Sequence, residues 1–235
     1  MDTRRPIFLR RFRGRGGVSA GGGGGSASFV AATDYAFTGS SGTKAWPTGT
    51  AAGDLVIVQI YEFSGTASTV TSPGGAWSTL VAMQSWDPGG GASNNVGYFY
   101  RVVDSTDVAG SMTFSGESFG GAGIYTFRGT TGASLAGSIL TDVVPAYANN
   151  AASMTVKGFT PDGSTKGAVV VHMTRNTSTT SPNITGFTRD AADQSSWTFG
   201  LMDMLDRFSG YAGGDVTLNI SADGQPHVAC MFQLT

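Results

Sequence analysis

Apolar residues along this chain come in short runs, either alternating with polar ones or in unbroken blocks. Gly, Pro, Ser and Asn separate the runs, and no long window repeats apolar residues at helical spacing. The strongest block, Gly53-Asp54-Leu55-Val56-Ile57-Val58-Gln59-Ile60-Tyr61, is rich in β-branched residues and opens on a turn dipeptide. It predicts a strand covered on both faces. Tyr98 to Val103 predicts another strand, and Met112-Thr113-Phe114-Ser115 alternates inward and outward. After a turn at Gly120-Gly121, Ala122 to Phe127 adds one more.

The second half repeats this order. Gly167 to Met173 corresponds to the Gly53 block, and Ser72-Pro73-Gly74-Gly75-Ala76-Trp77 is echoed by Ser181-Pro182-Asn183-Ile184-Thr185-Gly186-Phe187. Val216 to Ile220 matches the Met112 strand, and Val228 to Leu234 closes the chain as Ala122 to Phe127 closes the first half, with Val228, Cys230, Phe232 and Leu234 on one face. The pattern is an internal pseudo-repeat with halves at about 29–130 and 131–235, each offering about four or five strands. Two such sheets hide their apolar faces by packing together. The expected fold is therefore all-β, a jelly-roll-like β-sandwich over 29–235.

Residues 1–28 have no core of their own. Arg4, Arg5, Arg10, Arg11, Arg13 and Arg15 interleave with Ile7, Phe8, Leu9 and Phe12, and the five glycines 21–25 form a flexible tether. A purely solvated tether has no use for four large apolar side chains, so this reads as an extended arm that gains order on a partner surface. A frayed terminus is the alternative. The overall charge of −2 hides this division: without residues 1–15 the chain keeps 8 basic and 15 acidic residues, a net −7. A cationic arm on an acidic body suits a negative partner surface.

The single cysteine, Cys230, lies in an apolar run and excludes an intrachain disulfide. No stretch near the start has the character of a signal peptide, and none later approaches a membrane span of ~20 residues. Without a secretory signal, the glycosylation-type triplets at Asn176, Asn183 and Asn219 read as chance in a Ser/Thr/Asn-rich chain.

Four motifs, Gly-Asp-Leu-Val-Ile-Val at 53–58, Ser-Pro-Gly-Gly-Ala-Trp at 72–77, Tyr98-Phe99-Tyr100-Arg101, and the run from Ala122 ending in Phe127-Arg128-Gly129, carry a resemblance. Most of 30–235 resembles the jelly-roll or β-sandwich domain of virion structural proteins from phages and phage-like particles. The resemblance implies head decoration, a head fibre or a tail component, often trimeric, with a short N-terminal segment anchored to capsid or tail proteins. It transfers no reactive residue.

Candidate chemistry is sparse. His172 sits in an apolar strand and His227 follows Pro226, neither beside a Cys or acidic cluster at ligand spacing, which argues against zinc. There is no Gly-x-Ser-x-Gly elbow, P-loop or dinucleotide fingerprint. Asp190, Asp193, Asp203 and Asp206 flank Trp197. They read first as solvated loop or turn residues; calcium binding and glycoside hydrolysis are the competing readings. Among Trp46, Trp77, Trp86 and Trp197, Trp77 is assigned to the core. Trp86-Asp87-Pro88-Gly89 has the composition of a loop tip, where an interface contact competes with glycan stacking. Arg13-Gly14-Arg15-Gly16-Gly17 resembles a single RNA-binding Arg-Gly box. One copy on an acidic body favours protein docking over nucleic acid.

The sequence therefore points to a non-enzymatic virion component without cofactor or metal, exposed on the particle, homo-oligomeric and docked through residues 1–28. A glycan-binding adhesion module using Trp86, Asp87 and Trp197 is the alternative reading, and a hydrolase is the second alternative.

Overall fold

The structure, a computed structural model, describes residues 26–235 apart from 38–39, 63–67, 86–94, 117–119, 137–145, 149–152, 175–182, 185–187, 195–201, 209–210 and 220–226. In the first half the strands are β1 (Ser28–Ala36), β2 (Ser41–Lys44), β3 (Leu55–Glu62), β4 (Thr69–Thr71), β5 (Ser78–Ser85), β6 (Asn95–Val102), β7 (Met112–Ser115) and β8 (Gly120–Arg128). A single helical turn, α1 (Ser105–Val108), precedes β7. A short β9 (Ala133–Leu135) links to β10 (Ala146–Ala148), β11 (Ser153–Val156), β12 (Gly167–Thr174), β13 (Asn183–Ile184), β14 (Thr188–Gln194), β15 (Met202–Phe208), β16 (Val216–Asn219) and β17 (His227–Leu234).

Strand order makes the repeat explicit. The first half forms a sheet β1-β8-β3-β6-β5 with a smaller sheet β2-β7-β4, and the second forms β10-β17-β12-β15-β14 with β11-β16-β13. Each strand of the first half has a counterpart in the same place nine labels later. Within each half the antiparallel pairs nest: β1 with β8, β2 with β7, β3 with β6, then β10 with β17, β11 with β16, β12 with β15. Nested pairing is what a long antiparallel ribbon gives when it wraps into a jelly roll. β5 departs from the nesting, because it pairs with β6 at the edge of the large sheet.

The strand count exceeds the expected four or five per half. The additional strands are short or edge elements such as Ser41-Gly42-Thr43-Lys44 and Thr69-Val70-Thr71, whose composition lacks an apolar run. Their pairing supplies what their propensity does not.

The layers follow from side-chain alternation. On β3, Leu55, Ile57 and Tyr61 join a core shared with Val169 and Val171 of β12 and Val228, Cys230, Phe232 and Leu234 of β17. Val56, Val58 and Ile60 point the other way, onto Met112 and Phe114 of β7 and Val70 of β4. The second half mirrors this: Val170, Ala229 and Met231 pack on Met154, Val156 and Leu218 beneath its small sheet. The molecule is thus two sandwiches stacked through their large sheets, four layers deep. The Gly53 block is buried on both faces because it is the central strand of an inner layer.

Outward positions of the small sheets carry hydroxyls and amides. Thr43, Thr113 and Thr71 lie across from one another, as do Ser41, Ser115 and Thr69, and all six are exposed. Ser153, Thr155, Thr217 and Asn219 occupy the equivalent exposed positions of the second half. No helix among the described residues is long and apolar enough to cross a membrane.

Candidate functional site

The four sequence motifs converge in pairs on two ion-pair clips of the first sandwich. Asp54, from Gly-Asp-Leu-Val, is buried and receives both Arg128 nitrogens, Nε at 2.8 Å and Nη2 at 2.7 Å. Asp54 also accepts from the Ala51 amide at 2.9 Å, and Arg128 donates to the Gly49 carbonyl at 3.0 Å. The clip therefore ties the end of β8 to the turn that launches β3. Bidentate geometry of this kind is the strong form of an Arg–carboxylate contact. Gly53 beside it has φ 92°, a conformation that favours glycine.

The second clip is deeper. The Asp107 side chain is fully buried and accepts from Arg101 Nε at 2.6 Å, the Gly74 amide at 2.8 Å and the Asp104 amide at 3.0 Å. Arg101 also reaches the Ala76 carbonyl at 2.8 Å and Asp104 at 3.2 Å. Asp104 and Asp107 complete a reciprocal capping box on α1, so one short turn fixes both carboxylates. Gly74 has no room for a side chain: a Cβ would lie 2.3 Å from Arg101 Nη2 and 2.5 Å from an oxygen of each aspartate. Burial opposes ionisation of Asp107. The Ser72 hydroxyl beside the carboxylate, with the hydrogen bonds from the Asp104 backbone, Arg101 and the Gly74 backbone, outweighs this and holds the carboxyl below its ordinary value. Trp46 donates its indole N–H to the Asp107 carbonyl at 2.7 Å and stacks on Trp77 with centroids 6.1 Å apart. Trp77 packs against the first-half core, as its assignment to the core requires.

Both clips are fully engaged with their own chain, and that is a fastening role with no step of chemistry in it. Of the two buried aspartates, Asp54 belongs to a sequence motif, while Asp107 lies outside the motifs and is reached by Arg101 of one. The signal was present in Gly-Asp and Phe-Arg-Gly, but the partner of each lies tens of residues away.

The junction with the N-terminal arm is equally defined. Ala27 is buried in the core shared by the two sandwiches, and its amide donates to the Lys166 carbonyl at 3.0 Å. Lys166 in turn donates to Leu234 at 2.7 Å. At the same seam, Thr131 and Gly132 donate to the Thr235 carbonyl at 2.8 and 3.0 Å, joined by the Thr130 hydroxyl at 2.7 Å. The tether thus enters the body where both halves meet, at a point held from two sides.

The shared core contains a small polar group. Gln59 donates to the Tyr98 hydroxyl at 2.8 Å, and the Tyr98 ring packs against Phe232 at 5.2 Å between centroids. Burial pushes the Tyr98 hydroxyl up and the neighbouring Cys230 thiol up to about 12. A thiol so placed is an inert core residue.

The remaining expectations divide. Arg4, Arg5, Ile7, Phe8, Leu9, Arg10, Arg11, Phe12, Arg13 and Arg15 lie outside the described residues, as do Trp86, Asp87 and Trp197. Trp86 and Asp87 fall between β5 and β6, and Trp197 falls between β14 and β15, the equivalent connection of the second half. Asp190, Asp193, Asp203 and Asp206 correct the loop-or-turn reading: all four belong to the β14–β15 hairpin, with Asp193 paired to Asp203 and Arg189 to Asp206, while their side chains lie outside the described residues. His172 is buried in β12, between Met204 and Ala229 in register. His227 opens β17. Among the described residues, no group of three His, Cys, Asp or Glu is placed to hold a metal ion. Comparison with protein-family models, with curated proteins and with solved structures finds no match for the chain.

Proposed function

We propose that this protein is a non-enzymatic structural module of a phage or phage-like particle, displayed outward and held to capsid or tail proteins through residues 1–28. The observation that carries the reading is the junction at Ala27. A load on the arm reaches a buried residue bonded across both sandwiches, not a loose end of one sheet. The arm's arginines suit bidentate pairing with carboxylates of a partner, and Ile7, Phe8, Leu9 and Phe12 suit apolar pockets beside them. Self-engaged ion pairs and hydroxyl-covered outer sheets fit a body whose task is to persist and be exposed. The jelly-roll architecture serves capsid and lectin domains alike, so the fold favours this class without choosing within it. Deleting residues 2–15 tests the reading: the truncated chain is expected to fold and to lose its place on the particle, and full occupancy would overturn the proposal.

A second reading draws on the equivalence of the two connections that contain Trp86 and Trp197. A repeat that sets a tryptophan in the same connection twice suits bivalent contact with a cell-surface glycan. Glycan-array binding that disappears in Trp86→Ala supports it, and silence across the array removes it.

A further inference from the structure

The four terminal strands of the two large sheets are not protected alike. Sheet edges present unpaired N–H and C=O groups, and stable proteins blunt them with short strands, irregular pairing or charge. β5 meets β6 with two register irregularities, at Thr79/Val81 and at Val81/Gln84. β10 is three residues long. β14 is interrupted between Arg189 and Ala191 and carries Arg189, Asp190 and Asp193.

β1 carries these protections more lightly, although β14 of the other large sheet approaches it. It runs for nine residues with a single charge, Asp34, and its one irregularity lies near its start, between Phe29 and Ala31. Ala31 to Ala36 then pair with β8 without interruption. Every residue from Phe29 to Ala36 is half-buried, so the side chains already have cover, on the seam side for Phe29, Ala32 and Ala36 and on the first-half core side for Tyr35. Among the described residues, no strand lies beyond β1 in its sheet.

We propose that β1 is an association edge whose occupant is β1 of a second copy, paired antiparallel about a two-fold axis near Thr33. The sequence is self-complementary in that arrangement. With the axis at Thr33, Asp34 lies across from Ala32 of the partner subunit, so no like charges oppose one another. The centre of the strand, Ala31-Ala32-Thr33, has no bulky side chain to hold a second backbone away. The product joins the two β1-containing sheets into one sheet across the pair. This contact is isologous and closes at two copies, in place of the trimer that the resemblance implies. It does not depend on the arm.

Sedimentation of the full chain over a concentration series tests this. The unmodified protein is expected to pass from the mass of one chain to the mass of two. Thr33→Lys alone and Thr33→Asp alone should each associate about ten-fold more weakly or worse, while an equimolar mixture of the two variants regains the double mass. Recovery on mixing excludes simple misfolding, and amide exchange of Ala31–Ala36 in the unmodified protein supplies a second readout, slowing as concentration rises. Deleting residues 2–15 should leave the association unchanged. A single-chain mass at every concentration overturns the proposal. So does a dimer indifferent to both Thr33 variants, or one that the deletion abolishes or strengthens.

Discussion

Two positions at matching register show how the sandwiches differ. In the first, Leu55 lies across from Phe127, and beside them the charged clip of Asp54 and Arg128 holds β8 to the turn before β3. In the second, Val169 lies across from Phe232, and the same task falls to Gln233, which donates to Thr165 Oγ1 at 2.7 Å and Asp162 Oδ1 at 3.3 Å. The contrast recurs at a second fastening of each half. The first buries Asp107 under Arg101 and α1; the second uses Tyr211 against Phe159, with an exposed Lys157–Asp215 pair at 3.1 Å. Strand order and inward alternation are held in common, while the polar fastenings have diverged. The apolar pattern therefore specifies the fold, and the fastenings are replaceable devices for securing turns. Their cost of removal should track burial.

The largest effect is expected at Asp107. Asp107→Ala strands the Arg101 guanidinium and the Gly74 and Asp104 amides and should cost about 3–5 kcal/mol in chemical denaturation. Its functional counterpart in the second half, Asp215→Ala, breaks an exposed pair and should cost about 1 kcal/mol or less. Equal costs would mean that the halves are fastened alike.

Next comes the clip at the closing strand. Asp54→Ala should cost about 1–3 kcal/mol and Gln233→Ala about 1 kcal/mol, measured the same way. The acid limb of stability sharpens the comparison further. The Asp107 carboxyl is held below its ordinary value, so its stabilisation is complete above the unfolded carboxylate pKa of about 3.9 and is lost as pH falls through the folded value. Asp107→Asn should flatten that limb. Gln233→Ala removes one neutral donor from the exposed Asp162 carboxyl, which Ser164 and Thr165 still hold, and should change the limb far less.

The smallest effect is a readout at the seam. With its pKa at about 12, Cys230 should resist thiol reagents in the native protein near pH 8 and react once unfolded. If variants in either half speed labelling only in proportion to global unfolding, the two sandwiches open together. Labelling that outruns it would show the seam parting first.

The central strands were legible because Leu55–Tyr61 and Val228–Leu234 carry their burial in the alternation itself. The repeat was legible for the same reason, since its strongest strands recur in order. β2, β4 and β11 were hidden: Ser41-Gly42-Thr43-Lys44 has the composition of a loop and becomes a strand only through pairing with β7. Asp190 to Asp206 misled because aspartate is a poor strand former, yet β15 is held against β12 by seven paired residues. The clips were half visible. Gly53-Asp54 and Arg128-Gly129 stood out as motifs, but no local signal joins residues 74 apart in the chain.

The outer sheets add a consequence of their own. Their exposed rows of Ser, Thr and Asn offer water a hydrogen-bonding layer with no fixed charge and no greasy patch to anchor on. Crowded neighbours approaching these broad sides meet a hydrated cushion whose strength is indifferent to ionic strength.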